Sequence, residues 1–200
     1  MQRWVDQFPG VSLDCCLYVF RLVEKHYNET HRHYHTQGHI ADMLEKMDAY
    51  YPGATRSVVL AIFLHDVIYQ PGSPNNELNS ARFAKRHLSR LGLSREEVRA
   101  VARAIMATRK HVARNRVEAI VCDLDLLSLA CEPAWYRRNT RLLRQEFGEF
   151  TDAQWNLGRN RFINSYLGRK YIYASPKLRR AHEANARRNL QAEPSYSAQR

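Results

Sequence analysis

At 200 residues, with 44% hydrophobic residues and no apolar run near the roughly 20 residues a membrane span needs, the chain has the composition of one globular domain around a single core. A formal net charge of +11 favours anionic partners through its long-range field, either nucleic acid or phosphate-bearing small molecules, without choosing between them. Four cysteines (Cys15, Cys16, Cys122, Cys131) with no C-x-x-C pair exclude a disulfide scaffold and a thiolate zinc site, so reduced core residues are expected.

The start, MQRWVDQFPG, lacks the apolar segment of a signal peptide, and a cytoplasmic location is the default expectation. From Val11 to Tyr27, apolar residues at three- and four-residue steps predict an amphipathic helix capped near Ser12 and Asp14. A histidine-rich turn follows, and a second helical period runs from Tyr34 to Tyr50, ended by Tyr51-Pro52-Gly53. Thr55 or Ser57 can cap the next segment, Val58 to Tyr69, whose run Val58–Leu64 is too short for a bilayer and too continuous for a surface helix. That buried element delivers His65 and Asp66 together, and two polar groups in such a place require partners or a metal.

The stretch QPGSPNNE then reads as a loop where a site would open. Leu78 to Leu91 predicts a helix stopped at Gly92, and Ser94 with Glu97 forms a capping-box signal for the helix through Val98, Val101 and Ile105. Further helices are expected over 117–129, 133–150, 152–167 and 177–190. No pair of strand-period segments is joined by a hairpin turn, so the fold class is all-α, with one domain over 1–190 and a frayed tail over 191–200.

Chemistry concentrates in His31-Arg32-His33-Tyr34-His35-Thr36-Gln37-Gly38-His39, where His31, His35 and His39 recur at four-residue steps that would stack them on one helix face. With His65, Asp66 and a later Asp, these histidines offer nitrogen and oxygen ligands suited to zinc, manganese, iron, cobalt or nickel. Arg137, Arg141 and Arg144 make a basic stripe on one predicted helix, suited to a phosphate-bearing substrate. Lys85, Arg109 and Lys110 lie nearer the histidines in sequence and are the residue types that clamp phosphate. Glu77 could orient a water, and His111 could contact phosphate.

The order of these residues, with YHTQGHIADML (34–44), LAIFLHDVIY (60–69), PGSPNNELNSA (71–81), ATRKH (107–111) and DLDLLSL (123–129), resembles the HD superfamily of metal-dependent phosphohydrolases. Within it the chain is similar to the small bacterial predicted HD phosphohydrolases, and more distantly to the cyclic-nucleotide phosphodiesterases. The resemblance implies an HD-domain-like helical bundle. It also implies His39, His65, Asp66 and Asp125 as ligands of a divalent transition metal, with Asp125 preferred to Asp123 because Leu124-Asp125-Leu126 is nearer the superfamily's context. His35 would protonate the leaving alkoxide, and a metal-bound water would attack the phosphorus. Ile68 stands where the phosphodiesterases carry a further histidine, so one ion is expected.

The expected activity is hydrolysis of a nucleotide or other small phosphate ester, with catalytic roles for His35, Asp66 and Glu77 and substrate contacts from Lys85, Arg109, Lys110, His111 and Arg144. Two other readings fit the same residues: a non-catalytic metal- or nucleotide-binding regulatory module, and a phosphodiesterase or binder directed at nucleic acid. No membrane partner is expected, and homo-oligomerisation is left open.

Overall fold

Side chains take up an orphan amide at five of the helix starts, and proline opens two of the others. A computed structural model describes residues 1–193. Among these, α1 (Gln2–Val5) is a single turn, absent from the sequence-based expectation, that buries Trp4. Ser12 accepts the amide of Cys15 and opens α2 (Leu13–Tyr27). α3 (Gln37–Tyr50) is capped by Thr36, α4 (Arg56–Leu64) follows Thr55, and α5 is Asn76–Arg90. Ser94 and Glu97 form the expected capping box at the head of α6 (Arg95–Thr108).

α7 (Arg116–Asp125) passes into a 3₁₀ segment (Leu126–Ala130). α8 (Pro133–Glu146), α9 (Asp152–Leu167) and α10 (Pro176–Ala192) complete the chain. The fold is all-α, with no strand among the described residues.

α4 is the centre of the first core. All seven residues of Val58–Leu64 are buried, and the helix packs against α3, α6 and α7. Each fully buried Leu, Ile or Phe contributes about 1.5–3 kcal/mol relative to exposure, so α4 fixes the position of the two polar residues at its end. A second core gathers Leu126, Leu127 and Leu129 of the 3₁₀ segment against Tyr166 of α9 and Leu178 and Leu190 of α10. The Tyr173 hydroxyl donates to the Leu126 carbonyl at 3.2 Å, satisfying a group that the break between α7 and the 3₁₀ segment frees.

Five expectations change. The helix expected from Tyr34 starts at Gln37, because the amides of residues 33–35 are bound by a carboxylate from α8 instead of by helical carbonyls. The helix expected over 117–129 is split at Asp125. α8 stops at Glu146 instead of running to Phe150, since the Arg144 guanidinium donates to the Phe147 and Phe150 carbonyls and closes the turn. Residues 191–193 of the expected tail are ordered, because α10 reaches Ala192 and Glu193 binds Arg159 and Tyr136. The remainder of the expected tail, 194–200, lies outside the described residues. All four cysteines are free, and Cys15 is exposed on α2 instead of in the core.

Candidate metal centre

His65 caps α4 at its C-terminal end and is fully buried. Its Nδ1 donates to the Ile62 carbonyl at 3.0 Å, so in the neutral ring Nε2 carries a bare lone pair. That Nε2 is buried without a hydrogen-bond partner. It lies 3.1 Å from Asp66 Oδ2 and 3.7 Å from Asp125 Oδ1. His39, from the first turn of α3, places its own Nε2 3.2 Å from the same Asp125 oxygen. One ligand atom each from His39, His65 and Asp125 falls within 4.8 Å of the others, which is the size of a cation site.

Asp66 is outside that three-residue set and beside it, with Oδ2 between His65 Nε2 and His35 Nε2, the latter at 3.8 Å. Burial pulls the His65 pKa down, but Asp66 and Asp125 outweigh it and raise it well above the usual imidazole range. A proton on His65 and a divalent cation beside it are therefore alternative ways to neutralise the same two carboxylates. Burial would raise the Asp125 and Asp66 pKa values, yet the facing histidines, His65 first, hold both low.

Asp125 is oriented from its other side. His111 Nε2 lies 2.8 Å from Asp125 Oδ2, and its Nδ1 lies 2.8 Å from the Tyr166 hydroxyl. Because a carboxylate only accepts, Nε2 donates to Asp125, and in the neutral ring Nδ1 then accepts from Tyr166. His111 adopts φ +47°, a left-handed backbone that a non-glycine residue takes at a cost, and strain of this kind gathers at functional positions. Asp123, two residues earlier, faces away and accepts from the Ala174 and Ser175 amides at 2.6 and 2.8 Å.

The four-residue spacing of His31, His35 and His39 does not make a helix face, since only His39 is on α3. His35 nevertheless reaches the site, with its ring centroid 6.0 Å from that of His39. What holds it is Glu146, which sequence reasoning missed. Glu146 Oε1 accepts from the amides of His33, Tyr34 and His35 at 2.8–2.9 Å. Its Oε2 lies 2.6 Å from His35 Nδ1 and accepts from the Tyr69 hydroxyl at 3.0 Å. Burial opposes ionisation of Glu146, but the His35 hydrogen bond and charge and the turn's amides lower its pKa to about 2. In the same way burial lowers the His35 pKa, and Glu146 with Asp66 raises it overall.

Arg32 was also missed as a site residue. Its buried guanidinium donates to the carbonyls of His35, Asp66 and Val67 and to Glu29, tying the histidine turn to the end of α4. His31 bonds the Tyr69 carbonyl at 3.0 Å and buttresses the loop after α4 from outside. Ile68 is held by Ser80, whose hydroxyl donates to its carbonyl and accepts from its amide.

A cavity of about 680 Å³ opens from this centre. His35, Asp66, Glu77, His111 and Asp125 line its polar end, and burial raises the Glu77 pKa. Lys85, Arg109 and Lys110 are exposed and not in its lining. Arg144 is engaged by Asp152 and the turn carbonyls and leans over Trp155 at 5.8 Å, so the stripe with Arg137 and Arg141 does not place it in the cavity. Two arginines that were not singled out, Arg159 and Arg161, do line it, both from α9.

The signal for Glu146 was present in the sequence as a carboxylate in the stripe Tyr136, Asn139, Leu143, Glu146 of α8, the face turned inward. No helix among the described residues is long and apolar enough to cross a membrane. Compared with protein-family models, curated proteins and solved structures, the chain matches none.

Proposed function

We propose that the chain is a metal-dependent phosphohydrolase that cleaves small phosphate esters, nucleotides among them. The observation that carries this reading is His65 Nε2, a buried nitrogen without a hydrogen-bond partner that faces two carboxylates, with His39 beside it. An unpaired buried lone pair costs of the order of 1–3 kcal/mol, and a cation removes that cost. The donor set, two imidazoles and one or two carboxylates, fits zinc, manganese, iron, cobalt or nickel, and one ion accounts for it. When bound, such an ion polarises a phosphoryl oxygen and makes water a stronger nucleophile.

The remaining steps belong to the protein. His35, gripped on Nδ1 by Glu146, turns Nε2 toward Asp66 and the cavity, from where it gives a proton to the leaving ester oxygen as the P–O bond breaks. Water oxygen forms the new bond to phosphorus, and Asp66, which lines the cavity's polar end, takes the proton that water loses. His111 and Tyr166 keep Asp125 aimed at His39 and His65.

Elemental analysis of protein purified without a histidine tag, with assays against mono-, di- and triphosphates, cyclic nucleotides and aryl phosphates in each metal, tests the reading. The expected result is near one equivalent of a transition metal and turnover lost in His65→Ala and Asp66→Ala. Activity surviving in both variants, or no metal after reconstitution, would refute it. Metal bound without turnover would favour a binding module.

A further inference from the structure

Beyond the polar end, the cavity continues between α8 and α9, where Leu143, Phe147, Phe150, Trp155 and Phe162 line it, with Asn139, Thr140 and Gln154 as polar neighbours. Phe147 and Phe150 lie 5.2 Å apart by ring centroid and Phe147 and Trp155 5.4 Å, so the rings form one tilted set. Position follows from α9: Tyr166 touches His111 at the polar end, and Trp155 lies eleven residues earlier, about 16 Å along the helix. A phosphate at the metal centre would leave this half for the rest of the ester.

The charges on that wall do not suit a phosphate chain. Arg159 is paired with Glu193 and the Tyr136 hydroxyl, and Arg161 is exposed at the rim. Gly158 adds an independent observation. It stands in the interior of α9 with ordinary helical backbone, lines the cavity, and a Cβ built on it would meet nothing within 4 Å. Neither backbone nor packing calls for glycine there, although glycine weakens a helix by about 0.5–1 kcal/mol relative to alanine. What its missing side chain leaves is room at the cavity's open side.

Resting on the phosphohydrolase reading, we infer that the α8–α9 half of the cavity receives a flat, uncharged aromatic ring carried by the phosphate ester, and that Gly158 keeps the way to it open. Aromatic walls bind such rings by area and by offset or edge contacts, and they have little to offer a polyol. The ring site therefore favours aryl-type esters over glycerol or sugar phosphates.

The test uses the full chain stripped of metal with chelator, titrated by calorimetry with 1-naphthol and with glycerol, followed by assay of 1-naphthyl phosphate and glycerol 1-phosphate with metal restored. We expect 1-naphthol to bind and glycerol not to bind. Gly158→Leu should weaken 1-naphthol by about tenfold or more, with Gly158→Ala in between, the scale of a lost apolar contact in a pocket. Both variants should melt at or above the parent temperature, because Ala and Leu are better helix formers than Gly. Absence of 1-naphthol binding, or equal binding by Gly158→Leu, would overturn the inference even if both esters were hydrolysed. Binding of 1-naphthol without turnover of either ester would leave the ring site standing and remove the phosphohydrolase reading.

Discussion

Glu146→Gln isolates the carboxylate that holds His35. Five hydrogen bonds converge on Glu146: three backbone amides on Oε1, and His35 and Tyr69 on Oε2. Its side chain has no exposure, so solvent does not screen the charge. A glutamine can keep its oxygen on the three amides, but its NH₂ must then face His35 Nδ1, which loses its anionic acceptor. The pKa near 2, against 4.5 for an unperturbed glutamate, corresponds to about 3 kcal/mol through linkage. That agrees with the roughly 3–5 kcal/mol lost when one partner of a buried pair is removed.

The sign is that of a depressed acid. The contribution is complete above pH 4.5 and drains away as pH falls toward 2. His35 works in the opposite sense, contributing below its ordinary value of 6.5 and losing its contribution as pH rises through its elevated folded value, so it is constant between pH 3 and 5. Urea denaturation followed by circular dichroism at pH 7, 5, 4 and 3 measures the effect. The parent protein should lose stability between pH 5 and 3 more steeply than Glu146→Gln, from a start about 2–3 kcal/mol higher. Parallel curves over that interval would refute the assignment of the charge to this network. If His35 is the proton donor, kcat should also fall by about 10²–10⁴-fold with little change in KM.

Arg32→Met should cost about 3 kcal/mol in urea denaturation, because the carbonyls of His35, Asp66 and Val67 lose a buried charged donor together. Gly72 and Gly92 share φ +77°, but a Cβ at Gly72 would lie 2.6 Å from Phe150 Cζ while one at Gly92 meets nothing. Both alanine variants should pay the left-handed strain of about 1–2 kcal/mol, and thermal denaturation should show Gly72→Ala losing a further 1–3 kcal/mol, roughly, from overpacking. Glu97, half-exposed and bonded to Arg56 and the Ser94 amide, has its pKa lowered to about 2, first by Arg56. Glu97→Gln should cost only about 0.5–1 kcal/mol at pH 7 after solvent screening, and the difference should shrink as pH falls from 4.5 toward 2.

Local chemistry determined a good deal of this molecule. The Ser94–Glu97 box, the Ser12 cap and the continuous run Val58–Leu64 each specify an element within a few residues, because capping and apolar periodicity are satisfied by neighbours in sequence. The helix phase between Asp123 and Asp125 could not by itself say which faces the histidines, since two residues on a helix diverge by about 200° and either could point inward. Docking against α10 settled it, as Asp123 is consumed by the amides of Ala174 and Ser175.

The His35 turn was illegible for the same reason on a larger scale. Its four-residue spacing matches a helix, but a carboxylate 111 residues away outcompetes helical carbonyls for its amides. Likewise the positive charges nearest the histidines in sequence, Lys85, Arg109 and Lys110, are exposed outside the cavity lining, and Arg159 and Arg161 arrive from α9. Sequence alone pointed to His39, His65 and Asp125, which the fold does bring within the size of a cation site, and to most of the helical segments. Only the tertiary packing of α7 against α3 and α4, and the reach of Glu146 from α8 to the histidine turn, decided which carboxylates face which imidazoles, because a buried polar group takes the partner that reaches it, at whatever distance along the chain.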